Sequence, residues 1–168
     1  MKKLFITFLI IAFFPVKSFG LIEVDITRGN LNPLPLAVSP LSIDESSRKN
    51  FENLLKKKNI GIEISAIVEN NLKTSGLFNP LNKDAFLQAP DIANLKPRFE
   101  DWNLIKAQAL ITGKVSFVDE KLRVEFRLWD VLAGKEMMAL AFTTVPNNWR
   151  RVGHIITDKV YERLTGEK

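Results

Sequence analysis

The sequence contains no cysteine. This absence excludes disulfide bonds, metal sites built from thiolates, cysteine nucleophiles and the lipid-modified cysteine that anchors bacterial lipoproteins. The fold must therefore be held together by a hydrophobic core. A chain of 168 residues, 46% of them hydrophobic, is long and apolar enough to build one domain of ordinary size.

Histidine and glycine are also scarce. His154 is the only histidine, so a Ser-His-Asp triad would have to use it, and a zinc site of several histidines is excluded. Asp158 follows one helical turn later, but no serine lies in a G-x-S-x-G elbow. The eight glycines lie at least nine residues apart, which excludes a glycine-rich phosphate loop. We expect no enzymatic activity, cofactor or metal, and interpret His154 as a surface residue of a helix.

The first twenty residues have the composition of a secretory signal peptide. A Met-Lys-Lys start is followed by residues 4–14, in which a single threonine is the only polar residue. This run is about half as long as the ~20 residues that a membrane span requires. Small residues precede the position where a signal peptidase would cut. The pattern predicts a signal peptide over residues 1–20, cleaved between Gly20 and Leu21.

Removal of this peptide changes the charge of the protein. The whole sequence has 24 Lys and Arg against 19 Asp and Glu, a net charge of +5. Three of the lysines lie in residues 1–20, which leaves 21 basic and 19 acidic residues and a net charge of +2. So small an excess gives no reason to expect nucleic-acid binding. We expect an exported, soluble monomer with no membrane span after cleavage.

Apolar and acidic or polar residues alternate directly after the predicted cleavage site, in the sequence Ile-Glu-Val-Asp-Ile-Thr of residues 22–27. Such alternation predicts a half-buried strand. Because this strand would be held at one end only and is soon followed by Gly29, it could pair with its own sheet. It could equally detach and pair with the edge of a partner. The residues alone leave both alternatives open.

The first half of the chain is predicted to alternate between short strands and helices. Residues 34–41 contain two prolines, so any strand there is short or lies at an edge. In the polar stretch 43–59, the three large apolar residues fit one helical turn. Apolar residues at helical spacing predict a helix over 60–74, which Ser75-Gly76 ends. Further predicted elements are a brief strand over 77–81, a loop over 82–97 and a short helix that begins at 99.

The second half predicts a hairpin, a third strand and a final helix. The β-rich runs 107–118 and 122–131 are separated by a short polar turn. A third strand is predicted over 136–145, and the last helix begins at Asn147 or Asn148 and ends at Gly166. Together these elements predict a two-layer α/β sandwich, with a mixed sheet of about five strands and two main helices on one face.

Short runs of charge are interpreted as surface features. Three acidic pairs are assigned to a loop, a helix start and a hairpin turn: Asp44-Glu45, Glu100-Asp101 and Asp119-Glu120. Adjacent carboxylates on one element point in different directions, so none of the pairs predicts an active site. The run Lys56-Lys57-Lys58 is interpreted as solvated. Arg150-Arg151 opposes the dipole at the start of the last helix, and we expect a carboxylate of this chain or of a partner to compensate it.

Five segments carry a further signal through their order and spacing. They are residues 22–29 (Ile-Glu-Val-Asp-Ile-Thr-Arg-Gly), 34–40 (Leu-Pro-Leu-Ala-Val-Ser-Pro), 72–81 (Leu-Lys-Thr-Ser-Gly-Leu-Phe-Asn-Pro-Leu), 111–115 (Ile-Thr-Gly-Lys-Val) and 149–168. Together they resemble the amino-terminal domain of the TolB family, periplasmic components of the Tol-Pal system. In that family a six-bladed β-propeller follows the Leu-Thr-Gly-Glu-Lys sequence. The resemblance therefore predicts that residues 21–168 are this domain, in a fragment or truncated form without the propeller.

The resemblance also implies a function. In the family the amino-terminal segment binds TolA of the inner membrane, and the propeller binds the outer-membrane lipoprotein Pal. The system maintains outer-membrane integrity and draws that membrane inward during cell division. The implied TolA-binding residues are Ile22, Glu23, Val24, Asp25, Ile26, Thr27, Arg28 and Gly29. Binding of Pal is expected only if the propeller is present, and exchange of the first strand with a partner is favoured over permanent docking.

Two other hypotheses compete with this one. The first is a free-standing periplasmic α/β scaffold that binds other envelope proteins or peptidoglycan, through its sheet or through the region of Lys56. The second is a hydrolase that uses His154, which is disfavoured because the other members of a triad are missing.

Overall fold

The strands and helices follow the order that the sequence predicts, with a short strand at residues 42–43 and a short helix at residues 90–95 in addition. The structure is a computed structural model that describes residue 22, residues 32–57 and residues 59–167. The strands in these ranges are β1 (Leu34–Val38), β2 (Ser42–Ile43), β3 (Phe78–Pro80), β4 (Ala109–Val118), β5 (Lys121–Asp130) and β6 (Lys135–Thr144). The α-helices are α1 (Glu45–Leu55), α2 (Ile60–Thr74), α3 (Pro90–Leu95), α4 (Phe99–Leu104) and α5 (Trp149–Thr165).

The strands form one mixed sheet in the order β3-β1-β4-β5-β6. β1 runs parallel to both β3 and β4, whereas β5 runs antiparallel to both of its neighbours, β4 and β6. The short strand β2 pairs with β4 beyond the end of β1. The predicted α/β fold class is thus confirmed. The strand predicted over 22–27 lies outside the described residues, except for Ile22, which is not in a strand.

The predicted hairpin of β4 and β5 is confirmed, and a turn of two residues connects its strands. Asp119 and Glu120 both have a positive φ, at 49° and 60°. Two such residues in succession are the geometry of a two-residue turn whose twist matches that of the flanking strands. Alternation along β5 then directs four apolar side chains into the core: Leu122, Val124, Phe126 and Leu128.

β1 is short, as its prolines predict, but it is not an edge strand. It lies between β3 and β4, and Pro35 is its second residue. The register with β4 starts only at Leu36, which pairs with Ala109. The Pro35 carbonyl still accepts the Gln108 N–H at 2.9 Å. Because Pro35 precedes the paired region, its missing N–H costs no hydrogen bond of that ladder.

The large core lies between one face of the sheet and three helices, α1, α2 and α5. Two of these are the predicted main helices. The third, α1, is a full helix of 11 residues where the sequence predicted one turn. Its length comes from its ends: Asp44 caps the first turn, and Lys56 closes the last in a left-handed conformation. Phe51 of α1 is fully buried.

The Asp44 cap is also the clearest electrostatic feature of the fold. Its Oδ1 accepts the Ser47 N–H at 2.8 Å, and this hydrogen bond is the main reason why the pKa of Asp44 is lowered. Burial opposes the shift, and hydrogen bonds from the Ser46 and Ser47 hydroxyls add to it. The cap therefore stabilises the fold fully above the ordinary pKa of aspartate. Its contribution is lost as the pH falls through the lowered value.

A second, smaller cluster covers one end of the opposite sheet face. The chain from β3 to β4 crosses this face and buries six residues there: Ala37, Trp102, Ala107, Leu110, Trp129 and Val131. The prediction of a loop over 82–97 is wrong at Pro90–Leu95, which forms the helix α3 with its proline at the first position. This helix was not predicted because six residues are too few to show a helical repeat. The predicted short helix that begins at Phe99 is confirmed as α4.

Candidate functional site

Ile22 is the one described residue of the predicted partner-binding segment. Its backbone N–H donates a hydrogen bond to Oδ2 of Asp130, at 3.3 Å. Its side chain is partly buried against the large core. The segment therefore begins in contact with the folded domain. The other predicted site residues lie outside the described residues: Gly20, Leu21, Glu23, Val24, Asp25, Ile26, Thr27, Arg28 and Gly29.

Asp130 is the acceptor of this hydrogen bond. It was not among the site residues predicted from the sequence. It is the last residue of β5 and is 1% exposed. Its Oδ1 accepts the Ala133 N–H at 2.8 Å, which closes the turn into β6. Within the described ranges, no lysine or arginine forms an ion pair with it. Among the described residues, two backbone N–H groups donate to this buried carboxyl, which is suited to receive a further donor or a positive charge.

The surroundings hold Asp130 in place. Regular alternation along β5 places Asp130 on the same face as Leu128, toward the large core, while Trp129 packs into the small one. Trp129 donates from Nε1 to the Thr112 hydroxyl at 2.9 Å and meets the Phe99 ring edge-on. Gly134 has φ +62°, which permits the tight turn. We name Asp130 and the turn 131–134 the anchor site.

One part of the anchor site could have been found from the sequence. An aspartate at a strand end with a glycine four positions later is a common turn pattern. The contact with Ile22 joins residues 108 positions apart, and no local pattern reports it.

His154 lies exposed on α5, as the sequence predicts. Its Nδ1 lies 2.9 Å from the Asn71 amide nitrogen of α2. The same amide donates to the Thr157 hydroxyl at 3.3 Å. Because Asn71 can only donate from this nitrogen, His154 Nδ1 is the acceptor. The residue thus links two packed helices.

The acidic pairs occupy separate places, largely those predicted. Asp44 caps α1, Asp101 in the first turn of α4 pairs with Arg98 at 2.6 Å, and Asp119-Glu120 is the hairpin turn. The one correction is Asp44-Glu45, which begins a helix instead of lying in a loop. In the part of the chain that the structure describes, no three His, Asp or Glu side chains are grouped closely enough to hold a metal ion.

A carboxylate was predicted to compensate Arg150-Arg151, but Arg150 instead lies over an aromatic ring. Arg150 lies over the Trp149 ring at 4.3 Å, and Lys57 lies over it at 5.7 Å. Lys57 also pairs with Glu63 at 2.8 Å. Among the described residues, no carboxylate pairs with either Arg150 or Arg151. Cation–π contact with Trp149 offsets part of the unfavourable dipole interaction.

No helix within the described ranges combines the length and the apolar character that crossing a membrane demands.

Comparison with known proteins identifies relatives of the whole chain. A curated protein described as "Tol-Pal system protein TolB", from Pelagibacter ubique (strain HTCC1062), is 79% identical over all 168 residues. The chain spans only 37% of that relative's length. The crystal structure of TolB from Acinetobacter baumannii superposes with a TM-score of 0.62 at 21% identity, covering 80% of this chain and 29% of that one. At this identity the superposition shows the fold.

A family model agrees with both comparisons. The model described as the TolB amino-terminal domain matches residues 22–137, from the residue held at the anchor site to the start of β6. The resemblance found in the sequence is confirmed, and the chain belongs to the TolB family.

Proposed function

We propose that this chain is the TolA-binding domain of a periplasmic Tol-Pal component, and that residues 22–29 are the segment that binds TolA. The description of the 79% identical relative as a Tol-Pal system protein supports this proposal. The observation that carries it is the hydrogen bond between the Ile22 amide and the buried Asp130 carboxylate. A terminal segment whose first residue is held by one backbone hydrogen bond can exchange that bond for one to a partner.

The segment has two competing partners in this account. In the docked state Ile22 is held at the anchor site by its amide and by partial burial of its side chain. In the released state the alternating residues 22–27 add as a strand to the edge of a TolA sheet. Because hydrogen bonds to the partner replace the bond to Asp130, the net energy of the exchange is small and a partner can drive it.

Export would strengthen the docked state. Cleavage between Gly20 and Leu21 would create a positively charged α-amino group one residue before the amide that bonds Asp130. An α-ammonium group beside a buried carboxylate forms a charge-assisted hydrogen bond, which is stronger than the bond from a neutral amide. Asp130 would thereby distinguish the exported chain from its precursor.

We propose that Pal binds outside the region that this chain shares with its relative, as the family resemblance implies. We propose that a complete family member joins TolA to Pal through its two parts, and so contributes to outer-membrane integrity and to constriction at cell division. This chain supplies the TolA side of that link.

Deletion of residues 22–28 is expected to abolish TolA binding while the domain stays folded. Ile22, the residue of this segment that the structure describes, is only partly buried against the core, so the shortened chain should still unfold cooperatively. Isothermal titration of TolA measures binding, and near-ultraviolet circular dichroism reports the fold. A variant with residues 22–28 in permuted order, which keeps length and charge, should also fail to bind. Unchanged affinity in either variant would overturn the proposal.

A further inference from the structure

β6 lies at the edge of the sheet that the structure describes. Nine of its ten residues pair with β5, Met137 forms a bulge, and within the described ranges nothing pairs with the other side of the strand. Alternate residues therefore direct their N–H and C=O groups away from the sheet. One carbonyl, that of Met137, accepts a bond from Arg163 at 3.4 Å. A long exposed edge of this kind accepts an additional strand.

The same edge carries apolar surface. Met138, Leu140 and Phe142 lie on the core face of the sheet, opposite Leu128, Phe126 and Val124 of β5. Unlike those three partners, they are not fully covered by α5, and Leu140 is 38% exposed. Two cavities lie along this surface, one of about 300 Å³ beside Phe142 and one of about 340 Å³ beside Met138. We name this surface, between β6 and α5, the β6 ledge.

Cations stand at both ends of the β6 ledge. Arg151 lines the cavity beside Phe142, and Lys159 and Arg163 line the cavity beside Met138. Lys159 pairs with Glu162 at 2.9 Å. Arg151 forms no ion pair with any carboxylate that the structure describes. The middle of the ledge, at Leu140, is apolar.

The spacing of these cations sets the length of a matching strand. Arg151 and Arg163 are 12 residues apart on α5, which corresponds to about 18 Å at the rise of an α-helix. A strand rises about 3.4 Å per residue, so positions i and i+6 on one of its faces are about 20 Å apart. Two acidic residues at this separation would reach the two ends of the ledge, with apolar residues at i+2 and i+4 over Leu140.

We propose that the β6 ledge binds an extended segment of a partner protein, which pairs with β6 and carries acidic residues at i and i+6 and apolar residues at i+2 and i+4. Such a segment would be a second partner of the domain, beside the TolA proposed for residues 22–29. A second copy of the chain fits poorly, because antiparallel pairing of two β6 strands would bring Arg151 of each copy toward Arg163 of the other.

A designed peptide tests this proposal on the full chain. The probe is the nine-residue peptide Thr-Glu-Thr-Val-Thr-Val-Thr-Glu-Thr, and its control has lysine in place of both glutamates. In an NMR titration, the glutamate peptide should shift amide signals of residues 135–144. The lysine peptide should bind at least tenfold more weakly.

Two further comparisons separate strand addition from attraction of charge alone. Two forms of the glutamate peptide are made, one N-methylated at its odd positions and one at its even positions. Only every second amide of an added strand faces β6, so only one of the two forms should lose binding. Arg151→Glu should weaken the glutamate peptide at least tenfold, whereas the control Arg48→Glu on α1 makes the same change of net charge and should not. Equal binding of the two methylated forms, equal binding of the two charge forms, or a dimer that buries β6 would overturn the proposal.

Discussion

Gly61→Ala is expected to destabilise the chain by about 3 kcal/mol, because a methyl group has no room at this position. A Cβ on Gly61 would lie 2.2 Å from the Leu41 carbonyl oxygen and 3.1 Å from the carbonyl carbon. Both are backbone atoms, which side-chain rotation cannot move. At an ordinary helix position the same substitution stabilises by about 1 kcal/mol. The prediction therefore concerns the sign of the effect as well as its size.

Urea unfolding followed by circular dichroism measures this effect. Ala66→Val is the matched control, because Ala66 lies on the exposed side of the same helix and a β-branched residue there costs well under about 1 kcal/mol. If Gly61→Ala were as stable as the parent chain, the close packing of α2 on the connection between β1 and β2 would be wrong.

Trp102→Ala is expected to cost about 4 kcal/mol, the upper range for a large buried side chain. Trp102 is 1% exposed and contacts the Phe86 ring edge-on at 4.9 Å. Its Nε1 donates to Oε1 of the buried Gln88 at 2.7 Å, and the same oxygen accepts the Arg98 N–H. Truncation would thus open a cavity and remove one donor from a buried amide.

Thermal unfolding of Trp102→Ala and Trp102→Phe separates these two contributions. Phenylalanine keeps much of the ring but cannot donate to Gln88, so it should cost about 1–2 kcal/mol. A loss below about 1 kcal/mol in Trp102→Ala would contradict the assignment of the chain between β3 and β4 to a packed second cluster.

The elements with a repeating pattern were predictable from the sequence. α2 buries residues at regular helical spacing: Ile60, Ile64, Val68 and Leu72. The β4–β5 hairpin has ten residue pairs, apolar residues alternate along β5, and Asp119 in the turn is of a type that accepts a positive φ. In both cases one local period determines the element, and burial of a single face follows from that period.

The elements that depend on their ends or on distant residues were not predictable in this way. α1 is polar apart from a few residues and owes its length to the Asp44 cap, and α3 is too short for periodicity. The interior position of β1 follows from pairing on both sides, which Pro35 tolerates because it precedes the β4 ladder. At the anchor site Ile22 contacts Asp130, which lies 108 positions later in the sequence.

The candidate segment itself came from alternation and from the family resemblance together. Alternation in 22–27 predicts a strand that is either docked or exchanged, and only the resemblance points to TolA. The structure adds the residue that receives the start of the segment, Asp130. This contact defines the docked state, in which Asp130 competes with TolA for the start of the segment.

The backbone amide of Ile22 provides the most direct test of this competition. Its NMR signal can be followed in a chain that begins at Leu21, in the same chain with Asp130→Asn, and in the chain without that substitution as TolA is added. Asp130→Asn leaves one acceptor oxygen for the two donors that now share the carboxylate. We predict that this variant releases the Ile22 amide and binds TolA several-fold more tightly, and that TolA shifts the Ile22 signal of the parent chain. Binding of TolA with the Ile22 signal unchanged and still bonded to Asp130 would contradict the account.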